Sequence, residues 1–104
     1  MSKKNRRRGK ELERFVAKLF SGERIGLLGK EDVRLSAFSI EAKERQGGFS
    51  VAKWMRQAEA YSDTRIPLVY LHQLNQPHDT DLVVVRAKDI KGWILTKEMT
   101  SAEK

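Results

Sequence analysis

Apolar positions first recur at helical spacing. Leu12, Phe15, Val16, Leu19 and Phe20 form one stripe, with Arg14 and Lys18 opposite, which predicts a helix from Gly9 to Phe20. Ser21-Gly22 supplies its stop. The period then changes to two. Glu23–Leu28 reads as a short strand closed by Gly29 and Lys30-Glu31, and Asp32 heads a second strand that reverses near Ser36-Ala37. A further strand runs from Phe38 to Arg45 and ends at Gly47-Gly48, glycines that let the backbone turn sharply. Phe38, Ile40 and Ala42 share one face, toward a core, and Ser39, Glu41, Lys43 and Arg45 share the other.

Helical spacing returns after Ser50, an N-cap residue. Val51, Trp54, Met55, Ala58 and Tyr61 predict the buried stripe of a helix from Val51 to about Asp63, with Trp54 in the core. Leu68–His72 and Leu82–Val85 are nearly continuous apolar runs, separated by the polar stretch Gln73–Thr80. Such runs suit strands covered on both faces. Ala87 to about Lys97 predicts a short closing helix carrying Ile90, Trp93 and Ile94. The order helix, strand, hairpin, helix, strand, strand, helix predicts an α/β fold, one mixed sheet of about five strands with helices on both sides.

A chain of 104 residues holds one modest core and hence one domain. The expected organisation is a flexible basic arm over 1–8, a single domain over 9–97 and a frayed tail over 98–104. There are no cysteines, which excludes disulfides and thiolate metal sites. His72 and His78 are the only imidazoles, and their spacing reads as poor for a zinc site. No apolar run approaches the roughly 20 residues of a membrane span. The basic N-terminus lacks the apolar segment of a signal peptide, so a soluble, cytoplasmic protein without a membrane partner is expected.

Charge narrows the class of partner. The net charge is +7, and Lys3, Lys4, Arg6, Arg7, Arg8 and Lys10 concentrate it at the start. Such a field in so small a domain suits a polyanion, nucleic acid first. The plainer alternative is a solubilising tail.

Candidate chemistry lies in the ribbon. Pairing its strands across the reversal brings Asp32 to the same end as Glu41, with Lys43 on the same patch. Glu13 lies on the border of the first helix's apolar stripe, where it can lean over the edge of a sheet. Together they supply carboxylate oxygens, the hard ligands a magnesium ion takes alongside water and substrate phosphate. Lys43 could orient an attacking water or stabilise developing charge. Taken singly, an alternating charged strand and a border acid also describe ordinary solvated surface. Gln57 falls at the margin of the second helix beside Trp54 and Tyr61, with Lys53 one turn earlier.

The element order and the series Glu13 … Asp32 … Glu41-Ala42-Lys43 resemble the PD-(D/E)XK nuclease superfamily. More narrowly, Arg8-Gly9-Lys10-Glu11-Leu12-Glu13-Arg14 is similar to the opening helix of archaeal and phage Holliday junction resolvases. The likeness covers roughly residues 5 to 95; Glu31 stands where many members carry proline, and the hairpin is shorter than in the archaeal enzymes. The resemblance implies a restriction-endonuclease-like core. It further implies Asp32 and Glu41 as metal ligands, Glu13 as an acid contacting the metal or its water, Lys43 as the catalytic lysine and Gln57 as a polar group near the site. Mg2+ is the implied cofactor, with Mn2+ able to substitute, and a two-fold homodimer the implied assembly.

On this reading the chain is a structure-selective DNA endonuclease acting on four-way junctions, in a bacterial or phage-infected cell. Lys4, Arg6, Arg7, Arg8, Lys10, Arg34, Arg45, Lys53 and Arg56 would hold phosphates. Two alternatives remain open: another nuclease on the same scaffold with a nicked, flap or RNA substrate, and a basic nucleic-acid-binding protein without catalysis.

Overall fold

In a computed structural model the chain is described over residues 3–26 and 31–102, with side chains described from residue 7 to residue 101 within those ranges. The side chains of Lys4 and Arg6, and positions 27–28 of the strand expected at 23–28, lie outside that set. The chain is α/β: a five-stranded mixed sheet flanked by three helices.

Helix α1 spans Lys3–Leu19, starting six residues before the expected Gly9. Lys3-Lys4-Asn5-Arg6-Arg7-Arg8 contains no helix breaker, and arginine and lysine are good helix formers, so the basic segment continues the helix instead of preceding it as an arm. It stops in a Schellman geometry. Gly22 N–H donates to Ala17 O at 2.7 Å and Ser21 N–H to Lys18 O at 3.3 Å, with Ser21 itself at φ 55°. Gly22 is needed for a different reason: a Cβ there would meet the Leu35 side chain and the Arg34 carbonyl.

Strand β1 (Glu23–Arg24) pairs antiparallel with β2 (Val33–Arg34) and β2 with β3 (Phe38–Arg45), β4 (Ile66–Gln73) runs parallel to β3, and β5 (Leu82–Val84) returns antiparallel at the edge. The parallel step needs a crossover, and helix α2 (Val51–Ala60) supplies it. Ser50 occupies the N-cap position as expected, but its side chain makes no capping bond. α2 also ends before the expected Asp63, which turns at φ 56° and leaves Tyr61 exposed.

The sheet has a core on each face. On one, Leu12 and Val16 of α1 pack on Val33, Ile40, Leu68 and Tyr70; on the other, Trp54, Met55 and Ala58 of α2 pack on Val69 and Leu71. The face carrying Ser39, Glu41 and Lys43 is therefore not an open solvated surface: Ser39 is fully buried and Glu41 nearly so.

The two apolar runs part company here. β4 is buried from Pro67 to His72, as a central strand must be, whereas in β5 Leu82 is 62% and Val83 50% exposed. β5 is an edge strand, not a covered one. The last helix, α3 (Ala87–Ala102), runs on beyond Lys97 and is exposed from Lys91 to Ser101. It does not close over the sheet as expected; Trp93 meets Phe38 edge-on at 5.4 Å but stays half exposed. No described helix is long and apolar enough to cross a membrane.

Candidate functional site: an acid pair on the central ribbon

The ribbon pairs Val33 with Ile40 and Arg34 with Ser39, so one step further along this register sets Asp32 against Glu41. Asp32 is fastened to β3 on both sides of that residue. Its N–H donates to Ile40 O at 3.0 Å, and its Oδ2 accepts the Ala42 N–H at 2.8 Å. Its carboxyl and that of Glu41 share a hydrogen bond.

Burial, followed by that hydrogen bond and the charge of Asp32, pushes the Glu41 carboxyl up to about 8, with the Lys43 ammonium pulling the other way and Glu13 adding to the rise. Glu13 reaches this group from α1. Burial and then the charge of Asp32 raise its carboxyl, while Arg24, 3.5 Å away on β1, lowers it. Lys43, half-buried, lies two residues beyond Glu41 on the same face. The four residues singled out as Glu13, Asp32, Glu41 and Lys43 thus come into electrostatic contact from three separate elements.

Two adjacent carboxyls, one buried and one half-buried, match a hard divalent cation, because such an ion can offset both charges and take an oxygen from each. Glu13 does not complete a closed cage. Among the described residues, only His72, His78 and Asp81 offer three metal-ligating side chains whose donor atoms all lie within 4.8 Å of one another. Gln57 on α2 is half-buried, and its Oε1 is enclosed without a hydrogen-bond partner. A cleft lined by Phe20, Gly22, Arg34, Leu35, Phe38 and Arg65 sits at the turn end of the ribbon, and none of Glu13, Asp32, Glu41 and Lys43 lines it.

The expected phosphate-binding residues divide. Lys10, Lys53 and Arg56 are exposed, and Arg7 faces solvent in a loose 4.0 Å pair with Glu11. Arg8 is half-buried. Arg45 lies over the Trp54 ring at 5.0 Å and bonds the Glu44 carbonyl. Arg34 has a structural partner, pairing with Glu31 at 3.1 Å.

Glu31, the residue before Asp32, is a buried structural acid. It is 1% exposed and accepts hydrogen bonds from Arg34 and from Ser39 Oγ. Burial alone would raise it, but the Arg34 bond and charge and the Ser39 bond outweigh that and hold it below the usual carboxylate range. In the run Lys30-Glu31-Asp32 it looks like a loop residue; Ser39, a small hydroxyl on the Glu41 face, is the only hint of a buried partner.

A second polar group lies on the opposite face of the sheet. His72 and His78, whose spacing along the chain reads as poor for a zinc site, converge on Asp81, because the 3₁₀ turn at His78–Thr80 folds back over the end of β4. Tyr70 and His72, two apart on one strand face, carried a signal for it.

Compared with known proteins, the chain matches no protein-family model, no curated protein and no solved structure.

Proposed function

We propose that this chain is a divalent-metal-dependent endonuclease of the PD-(D/E)XK type, acting on branched DNA in the manner of a Holliday junction resolvase. The observation that carries the reading is the pairing of half-buried Asp32 with buried Glu41, with Lys43 beside them on β3. Ionising both of these carboxyls is costly unless a cation offsets their charge, and strongly perturbed carboxyls of this kind cluster at functional sites. Asp32 and Glu41 would hold Mg2+ or Mn2+, with Glu13 acting on the metal's water. Bound there, the ion would supply an acidified water and neutralise charge on a phosphodiester. Lys43 orients that water or stabilises the developing anion, and Gln57, whose enclosed Oε1 has no hydrogen-bond partner, would be the polar group of α2 that serves the site.

Lys10, Lys53 and Arg56 hold the phosphates of a substrate recognised by shape. Two copies act together, since a four-way junction has two-fold symmetry; the exposed Trp93, Ile94, Leu95 and Met99 of α3 supply apolar surface for such pairing.

The test is cleavage of a labelled synthetic four-way junction beside linear duplex, nicked duplex and flap, with magnesium and with EDTA, for wild type and Glu41→Ala. Paired symmetric nicks on the junction alone, lost in EDTA and in the variant, are expected. Metal-dependent cutting without junction preference would move the substrate to another nuclease class. Tight binding without cutting in magnesium or manganese would reduce the acid pair to structure.

A further inference from the structure

The His72–His78–Asp81 group lies on the other face of the sheet from Glu41 and Lys43. Tyr70 belongs to the α1-side core and Leu71 to the α2-side core, so His72 falls on the α1 side, and so does its register partner Glu44. The donor atoms are close. His72 Nδ1 is 2.6 Å from Asp81 Oδ1 and His78 Nδ1 is 2.8 Å from Asp81 Oδ2, with the two imidazole rings 4.2 Å apart.

Each component is positioned. Tyr70 O–H donates to Asp81 Oδ2 at 2.6 Å, and Phe15 of α1 stacks on the His78 ring at 3.8 Å. The Asp81 and His72 side chains are 3% and 8% exposed, whereas that of His78 is 43% exposed and opens the group to solvent. Glu44 Oε1 lies 3.8 Å from His72 Nε2.

We propose that His72, His78 and Asp81 form a second metal site, selective for a first-row transition ion such as Zn2+ or Co2+. Two imidazoles are borderline ligands that favour such ions over magnesium or calcium, and the carboxylate adds a charged oxygen that zinc and cobalt also accept. Ligand atoms about 2.0–2.2 Å from zinc stand roughly 3.2–3.6 Å apart around it, so the present contacts need open only by under about 1 Å. The protons are accounted for. Without metal, an ionised Asp81 carboxylate calls for a proton on each facing Nδ1; when the ion takes the Nδ1 lone pairs, the protons move to Nε2. On His72 that places N–H toward Glu44, the carboxylate–histidine–metal arrangement that fixes tautomer and ring orientation. On His78 the Nε2–H faces water.

Three protein ligands leave one position on the exposed His78 side for water or another small ligand. The ion would pin the hairpin between β4 and β5 to α1 through Phe15. This inference does not depend on the nuclease reading, since it shares no residue with the acid pair.

The experiment uses the untagged full chain carrying Asp32→Asn and Glu41→Gln, which silences the acid pair. Zn2+ is titrated by calorimetry and Co2+ by visible absorption, both in excess magnesium. One ion per chain is expected, with tetrahedral cobalt bands, and His78→Asn should weaken affinity at least about 10-fold. Equal affinity in the His78 variant, or no transition-ion binding, overturns the site. Because a variant could fold poorly, the wild-type histidine ring 15N resonances provide a second reading. Zinc must shift Nδ1 of both His72 and His78, and unchanged rings under saturating zinc would also overturn the proposal.

Discussion

Asp32 Oδ2 accepts the backbone N–H of Ala42 at 2.8 Å, the peptide unit that follows Glu41. That bond fixes one carboxylate of the acid pair to the strand that carries the other, so the two acids move as a unit. Rigidity of this kind is what a positioned metal requires, and it holds like charges together when no metal is present.

The like-charge contact predicts a stability cost. Glu41 titrates near 8 in the fold, above the ordinary carboxylate value. Its protonated form therefore favours the native state, and stability falls as pH rises from the ordinary value through 8. In EDTA, Glu41→Gln should stabilise the protein by on the order of 1–3 kcal/mol at pH 8, with little difference at pH 4. Thermal melts at both pH values measure it. A lower Tm for the variant at pH 8 would contradict the shared-proton geometry.

Lys43→Ala should separate chemistry from binding. The lysine lies beside the acids without sharing their hydrogen bonds, so junction affinity and melting temperature should hold while single-turnover cleavage falls about 10²-fold or more. Loss of folding would make Lys43 a structural cation.

Gln57→Leu tests the orphaned Oε1. An enclosed acceptor without a partner costs roughly 1–3 kcal/mol, and an apolar side chain of similar size removes that cost. The variant should melt at or above the wild-type temperature and cleave more slowly. Unchanged cleavage would remove Gln57 from the site.

The arginines and lysines should sort by partner. Lys53→Ala and Arg56→Ala, both exposed, should each reduce the salt dependence of DNA binding by about one phosphate's worth, a slope change near 0.9. Arg34→Ala instead leaves the buried Glu31 without its cation, so its main effect should be a loss of about 1–3 kcal/mol of stability. Denaturant melts and salt titrations of affinity distinguish the two classes.

Trp93→Asp with Leu95→Asp should lower any self-association without unfolding the sheet, because both side chains are about half exposed. Light scattering after size exclusion reads it. A monomeric wild type would remove α3 as a pairing surface.

What the sequence determined by itself was local. Helical and two-residue periodicities set α1, β3, α2 and β4 and the alternation that puts Glu41 and Lys43 on one face, because backbone geometry ties period to direction. The turn near Ser36-Ala37 then fixed the register that faces Asp32 with Glu41. Tertiary structure decided what depends on distant partners. An apolar run reads the same in a central strand as at an edge, so only the sheet order separates buried β4 from exposed Leu82 and Val83. A low-periodicity helix does not announce whether it packs, and α3 does not close over the core. The burial of Glu31 and the meeting of His72, His78 and Asp81 follow from chain reversals that bring polar side chains together in space, and no spacing along the chain encodes those distances.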